Sequence, residues 1–149
     1  MSAFYLESSA LVKRYSAETG SHFVIKLMQP SAKNRLYAVK ITEVEVCTAL
    51  TRKRKGLKMT AAGATKSINR FRRNFAARFV KSDTTDSLLN EAVRLSDLHT
   101  LRGYDAVQLA AALEANVFWT QTGLVAVSPR VISTVRLLRV EFVAASILW

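Results

Sequence analysis

Three acidic residues, Glu7, Glu45 and Asp105, are the candidates for chemistry in this chain. Glu7 follows a short apolar run, Glu45 lies in the first turn of a helical pattern, and Asp105 lies where a glycine-marked turn leads into an Ala- and Leu-rich helix. In an open α/β sheet, functional side chains collect beyond the carboxyl ends of the strands. Three carboxylates converging there would repel one another strongly unless a divalent cation joined them. The residues therefore predict a Mg²⁺ or Mn²⁺ site that activates water for phosphodiester cleavage.

Helix capping is the simpler explanation of two of these acids. Asp105 could cap the helix that follows it, with Gln108 three residues further on completing a loose capping box. Thr42 and Glu45 have the spacing of a capping box as well. The residues alone leave both explanations open.

Other catalytic arrangements find no support in the sequence. His22 and His99 lie in unrelated contexts and Cys47 has no evident base, so neither a Ser-His-Asp set nor a cysteine nucleophile is credible. A P-loop and a GxGxxG turn are absent. Because Cys47 is the single cysteine, an internal disulfide and a multi-cysteine zinc site are excluded.

Apolar periodicity predicts alternating strands and helices. Strands are expected at residues 3–6, 36–39, 79–80 and 117–120, with helices over residues 10–15, 20–28, 42–56, 59–75, 88–98 and 103–113. Strands separated by helices imply a parallel sheet that is covered on both faces. The expected fold class is α/β, as a single domain spanning residues 1–149. The tail from residue 131 reads equally well as a helix plus a strand and as two strands.

The positive charge is concentrated in one part of the chain. The formal net charge is +11, and residues 46–82 contain no acidic residue while carrying eleven basic ones. We call residues 46–82 the basic segment; five of its arginines are the candidate nucleic-acid contacts, namely Arg52, Arg54, Arg70, Arg72 and Arg73. A solvated helical face normally mixes charges of both signs, whereas one sign favours a polyanionic partner. Nucleic acid is the preferred partner, and an acidic protein is the alternative.

Sequence signals for membrane insertion or export are absent. No run approaches the roughly 18 apolar residues that a membrane span needs, and the first residues lack the basic and long apolar regions of a signal peptide. A cytoplasmic location is expected.

Three stretches of the chain resemble motifs of a known family. Residues 5–15 (YLESSALVKRY), 41–46 (ITEVEV) with Ala49 and Leu50, and 101–107 (LRGYDAV) with the apolar residues after them are similar to the PIN-domain family. They are most similar to its VapC-like toxin branch, in order and in spacing, and the resemblance covers residues 3 to about 122. It implies a three-layer α/β/α domain with a central parallel sheet, usually dimeric. It further implies Mg²⁺-dependent cleavage of RNA and inhibition by a cognate antitoxin.

The resemblance carries over to individual positions. Glu45 and Asp105 match acids that bind metal in the family, and Glu7 stands where the family nearly always has Asp. The family's fourth acid corresponds to Thr122, and its usual His to Gln108. Ser8 and Arg102 are additional candidates for the site, Arg102 as a phosphate contact.

Two hypotheses follow from this combination of matches and departures. The first is a metal-dependent endoribonuclease that forms the toxin of a toxin–antitoxin pair. The second is a PIN-fold protein with a degenerate acidic site that acts by binding RNA or a partner without efficient catalysis. Glu45 and Asp105 favour the first hypothesis, whereas Glu7 and Thr122 favour the second.

Overall fold

Five parallel strands and six α-helices make up the described part of the chain. The computed structural model describes the backbone of residues 2–117, 124–127 and 141–143, and the side chains of residues 2–115. The strands are β1 (Ala3–Leu6), β2 (Arg35–Val39), β3 (Phe79–Ser82), β4 (Leu124–Val127) and β5 (Glu141–Val143). The helices are α1 (Ser8–Tyr15), α2 (Ser21–Leu27), α3 (Thr42–Lys55), α4 (Ala61–Arg78), α5 (Asp86–His99) and α6 (Gly103–Val117), with a short 3₁₀ turn at Pro30–Ala32.

The strand order of the sheet is β3-β2-β1-β4-β5, and all neighbouring strands are parallel. The chain therefore proceeds from β1 outward to β3 and then returns to place β4 on the other side of β1. Such a reversal leaves a crevice at the carboxyl ends of the two strands that flank it. Glu7 follows β1 directly, so the fold places its carboxylate at this crevice.

Two separate hydrophobic cores cover the two faces of the sheet. Alternation along β1 directs Ala3 and Tyr5 to one core and Leu6 to the other. The first core is completed by α5 and α6, and the second by α1 to α4. The predicted α/β/α layering around a parallel sheet is therefore confirmed.

The predicted strand at residues 117–120 is wrong at its first residue. Val117 is the last residue of α6. The helix continues past its predicted end at residue 113 because no Gly or Pro interrupts residues 114–117. Residues 118–120 lie outside the described residues, and the next strand is β4. In the tail, β5 is a strand, while the remainder of residues 131–149 is outside the described part.

The turn between α5 and α6 depends on Thr100 and not on Gly103. Thr100 has φ 53°, in the left-handed region, and its backbone N–H bonds to the carbonyl of Ser96. Gly103 does not have a positive φ, and there is open space where a Cβ would be.

Among the described helices, none combines the length and apolar composition needed to cross a lipid bilayer.

Candidate active site

The three acidic residues predicted from the sequence line one cavity. Glu7, Glu45 and Asp105 all border a cavity of about 1080 Å³. They come from three different elements, namely the residue after β1, the first turn of α3 and the first turn of α6. The helix starts bring the positive ends of α3 and α6 to the acids, which favours negative charge there.

Glu7 is a buried carboxylate. Its exposed fraction is only 3 %, and the Ser9 hydroxyl donates a hydrogen bond to its Oε1. Glu7 occupies the N-cap position of α1, but its side chain makes no capping hydrogen bond. Because burying a carboxylate is costly, this position is better explained by a site than by helix stability.

A buried hydrogen-bond network holds the carboxylate of Glu45. The Gln108 Nε2 donates to Glu45 Oε2 at 2.5 Å and to Thr42 Oγ1 at 3.0 Å. The Gln108 Oε1 accepts from the Tyr5 hydroxyl at 2.7 Å. Gln108 thus joins β1, α3 and α6, and it fixes where the carboxylate of Glu45, which lines the cavity, points.

Tyr5 keeps its proton in this network. Burial raises the pKa of Tyr5 well above its ordinary range, and the negative charges of Glu7 and Glu45 add to that rise. The hydroxyl therefore remains a donor, which leaves the amide of Gln108 to face Glu45 with its N–H groups.

The structure does not support helix capping as the role of Asp105 or Glu45. Since α6 begins at Gly103, Asp105 is already inside the first turn and cannot be its N-cap. The N-cap of α3 is Ile41, without a side-chain cap bond, and Thr42 is buried against Gln108 instead. Thr42 and Glu45 therefore do not cap α3. Both side chains accept hydrogen bonds from Gln108 of α6 instead.

Two predicted arginines and Ser8 also line the cavity. Arg52, in the last turn of α3, and Arg102, just before α6, place cationic groups at the same cavity as the acids. Arg54, Arg70 and Arg73 are exposed elsewhere on α3 and α4. Arg72 pairs with Glu43 at 2.8 Å, so part of its charge is neutralised within the protein. Thr122 lies outside the described residues.

Apolar side chains form part of the lining of the cavity, and we call them the apolar wall. It consists of Leu89, Ala92 and Val93 of α5 together with Tyr104 of α6. Leu89, Val93 and Tyr104 remain exposed. The sequence patterns gave no reason to connect α5 with the site.

The donor chemistry of the cavity fits a hard divalent cation. Its acidic and hydroxyl oxygens include those of Glu7, Glu45, Asp105 and Ser8, and neither histidine nor Cys47 is a lining residue. Within residues 2–115, however, no three Asp, Glu, His or Cys side chains form a group compact enough to hold a metal ion. Mg²⁺ commonly binds through one or two carboxylates and keeps several waters, so such a group is not a requirement for binding.

The sequence patterns assigned Thr42 and Gln108 to capping boxes, and Gln108 to the position of the family's usual His, but they did not connect either residue with Tyr5 or with the orientation of Glu45. Within the described side chains, the buried polar or charged residues outside the tyrosines are Glu7, Thr42 and Gln108, and all three belong to this region. A polar Gln among the Ala and Leu residues of α6 was the signal that could have identified the network.

Structural comparison finds toxin–antitoxin proteins. A chain of a toxin–antitoxin complex from Klebsiella pneumoniae is similar with a TM-score of 0.65 and 14% identity, covering 95% of this chain and 96% of that one. A chain of VapBC2 from Rickettsia felis, in a structure bound to a DNA fragment from their promoter, has a TM-score of 0.63 and 12% identity, with 95% and 97% covered. No protein-family model and no curated protein matches the sequence. The predicted resemblance is thus confirmed at the level of fold: the chain has the PIN-like fold of VapBC-type toxin–antitoxin proteins.

Proposed function

We propose that this protein is the toxin of a toxin–antitoxin pair, and that it is a Mg²⁺- or Mn²⁺-dependent endoribonuclease. It would act on RNA in the cytoplasm, as a homodimer, and be inhibited by a cognate antitoxin. The observation that carries the proposal is the meeting of Glu7, Glu45 and Asp105 at one cavity, next to a buried polar network. Two arginines at the same cavity support a phosphate-containing substrate.

The side chains of the cavity have separate roles in this proposal. Arg52 and Arg102 bind the phosphate, Gln108 orients the Glu45 carboxylate, and Glu7 and Asp105 supply the remaining negative charge. A divalent cation held by Glu7, Glu45 and Asp105 would supply an activated water and neutralise the charge that develops on the phosphate. The apolar wall limits the access of bulk water from the side of α5.

The second candidate function is binding without efficient catalysis, through a degenerate acidic site. It is favoured by the spacing of the carboxylates, which form no compact three-ligand group among the described residues. Glu7 adds to this candidate because its side chain is one methylene longer than the Asp found at this position in the resembled family. In this case, RNA or the antitoxin would occupy the surface without being cleaved.

A cleavage assay separates the two candidates. End-labelled, structured RNA is incubated with the purified protein and Mg²⁺ or Mn²⁺, and the products are resolved by length. Glu45→Gln and Asp105→Asn should each abolish metal-dependent cleavage while the circular dichroism spectrum stays native. The matched control is Glu91→Gln, because the Glu91 carboxylate pairs with Arg94 on the surface of α5, away from the cavity.

Undiminished cleavage in either folded variant would contradict the metal-site assignment. RNA binding by a native protein that cleaves nothing in either metal would favour the second candidate.

A further inference from the structure

Three arginines that do not line the acidic cavity lie near Tyr15, where α1 packs against α4. Arg14 lies over the ring of Tyr15, with its Cζ 5.7 Å from the ring centroid. The hydroxyl of Tyr15 accepts a hydrogen bond from Asn74 Nδ2 at 3.0 Å. Asn74 is four residues from Arg70 and four from Arg78, so these three share one stripe of α4. The contacts of Tyr15 therefore bring Arg14 next to that stripe. We call Arg14, Arg70 and Arg78 the arginine cluster.

The arginine cluster has no compensating negative charge among the described side chains. Neither α1 nor α4 contains an acidic residue, and none of the three arginines forms a salt bridge in that part of the chain. Arg14 and Arg78 are nevertheless half-buried. Partial burial weakens the hydration of a charge, and like charges repel one another. The arrangement therefore costs free energy that a bound anion would recover.

Contacts within the protein hold two of the guanidinium groups in place. Arg14 makes a cation–π contact with Tyr15, and Arg78 Nη1 donates to the backbone carbonyl of Met28 at 2.5 Å. Because a guanidinium has five N–H donors, both arginines retain donors for a ligand. The hydroxyl of Tyr15 accepts from Asn74, so its own proton is also left to donate. Groups that are already positioned lose less conformational entropy on binding.

The pKa of Tyr15 is consistent with this arrangement. Burial raises the pKa, and the hydrogen bond from Asn74 opposes that rise. The positive charges of Arg14, Arg70 and Arg78 oppose it as well. All three arginines thus contribute to the electrostatic environment of the hydroxyl.

We propose that the arginine cluster binds a phosphate dianion, either free phosphate or a terminal phosphate monoester, with the hydroxyl of Tyr15 as a further donor. The site is separate from the acidic cavity and does not depend on cleavage. One guanidinium fork already matches the two oxygens and the single charge of a carboxylate. A phosphate monoester has three terminal oxygens and a charge of about −1.5 to −2 at pH 7, which suits three cations better.

The test is a calorimetric titration with inorganic phosphate in EDTA, which removes any divalent cation that could hold phosphate at the acidic cavity. The native protein should bind phosphate and should not bind acetate. Arg14→Gln should weaken phosphate binding by about 10-fold or more, the loss expected for one hydrogen bond to a charged group. Arg70→Gln, at an exposed position, should weaken it as well, while the circular dichroism spectrum stays native.

Two variants separate specific hydrogen bonds from a general attraction of anions. Arg14→Lys keeps the charge but removes the planar fork, so it should also weaken phosphate binding. Lys58→Gln removes one charge at an exposed position between α3 and α4, and it should bind phosphate like the native protein.

The source of the phosphate is tested with one short single-stranded RNA that carries a phosphate at either end or at neither. If a terminal phosphate raises the affinity of the native protein but not that of Arg14→Gln, the ligand is a phosphorylated RNA end. If all forms of the RNA bind equally while inorganic phosphate still binds, the ligand is free phosphate. Both results support the site.

Equal phosphate affinity in the native protein, Arg14→Gln and Arg70→Gln, or no phosphate binding by the native protein, would overturn the proposal. Native-like binding by Arg14→Lys, or acetate binding as strong as that of phosphate, would show general attraction of anions and contradict it. If Arg102→Gln and not Arg14→Gln removes phosphate binding, the phosphate binds in the acidic cavity and the inference is wrong. The cleavage assay tests the proposed function independently of these results.

Discussion

The side-chain amide of Gln108 donates a hydrogen bond to the carboxylate of Glu45 across 63 residues of sequence, at 2.5 Å. The same amide contacts Thr42 and accepts from Tyr5, so one neutral residue connects three elements. In the resembled family this position is usually His. A glutamine cannot take up a charge, so Glu45 here has a neutral donor at every pH.

Replacing Gln108 with Leu should lower the free energy of unfolding by about 1–3 kcal/mol, because the Tyr5 hydroxyl and Thr42 lose a buried partner. Chemical denaturation with urea measures the change. The variant should also bind Mn²⁺ more weakly in calorimetry, since the Glu45 carboxylate is no longer oriented. Gln29→Leu, at an exposed position, is the matched control. Unchanged Mn²⁺ affinity in a folded Gln108→Leu protein would show that the network serves stability alone.

The layers of the fold were predictable because they depend on local patterns. Each strand of the first half is a short apolar run, and the long helices α3 to α5 carry regular apolar stripes. The buried network was not predictable, because Tyr5, Thr42 and Gln108 are far apart in the sequence and meet only through the order of the strands. The apolar wall of the cavity was missed because Leu89 and Val93 fit the stripe of an ordinary amphipathic helix.

Glu7→Asp should strengthen metal binding if Glu7 is a ligand. The shorter side chain retracts the carboxylate by about 1.5 Å, and Mg²⁺ tolerates little error because it requires near-octahedral oxygens at about 2.0–2.1 Å. We expect weak cleavage by the native protein, better in Mn²⁺ than in Mg²⁺, and a partial recovery in Glu7→Asp that increases when Thr122→Asp is added. Cleavage rates against metal concentration check this.

The opposite result is equally informative. A native protein that saturates at sub-millimolar Mg²⁺, with Glu7→Asp no better, would identify Glu7 as a competent ligand and exclude the degenerate site.

RNA affinity should depend on Arg70 and Arg73 more than on Arg72. Arg70 and Arg73 are three residues apart on α4 and share one exposed face, whereas Arg72 is paired with Glu43. Burial lowers the pKa of Arg14 on α1, and the positive charge of Arg70 adds to that lowering. Changing Arg70 and Arg73 to Gln should reduce the salt slope for single-stranded RNA by about 1.4, if each contacts one phosphate.

Arg72→Gln is the matched control for this pair, and it should change the slope less. If the affinity for RNA changes neither with salt nor with the double substitution, the basic segment is a solvated face or a docking surface for the antitoxin.

The fall in the free energy of unfolding at alkaline pH should depend in part on the ionisation of Tyr15. Burial raises the pKa of Tyr15, whose hydroxyl accepts a hydrogen bond from Asn74 and whose ring packs edge-on against Phe71. Because the folded protein holds this proton more tightly than the unfolded chain, the contribution of Tyr15 is complete below about pH 10 and is lost as the pH rises above it. Urea unfolding from pH 8 to 11 should show falling stability, with a shallower decline in Tyr15→Phe. An identical decline in both proteins would contradict this assignment.

The central position of β1 has a consequence for biosynthesis. Its register with β2 pairs Ala3 with Arg35, but its register with β4 pairs Ala3 with Leu124, 121 residues further along the chain. Non-local pairing of this kind slows folding, since a long loop must close before the contact forms. A nascent chain can pair β1 with β2 early, while α6, with Asp105 and Gln108, is still inside the ribosome. The acidic cavity is thus completed only after α6 has left the ribosome, so chains that stop before α6 lack Asp105 and Gln108.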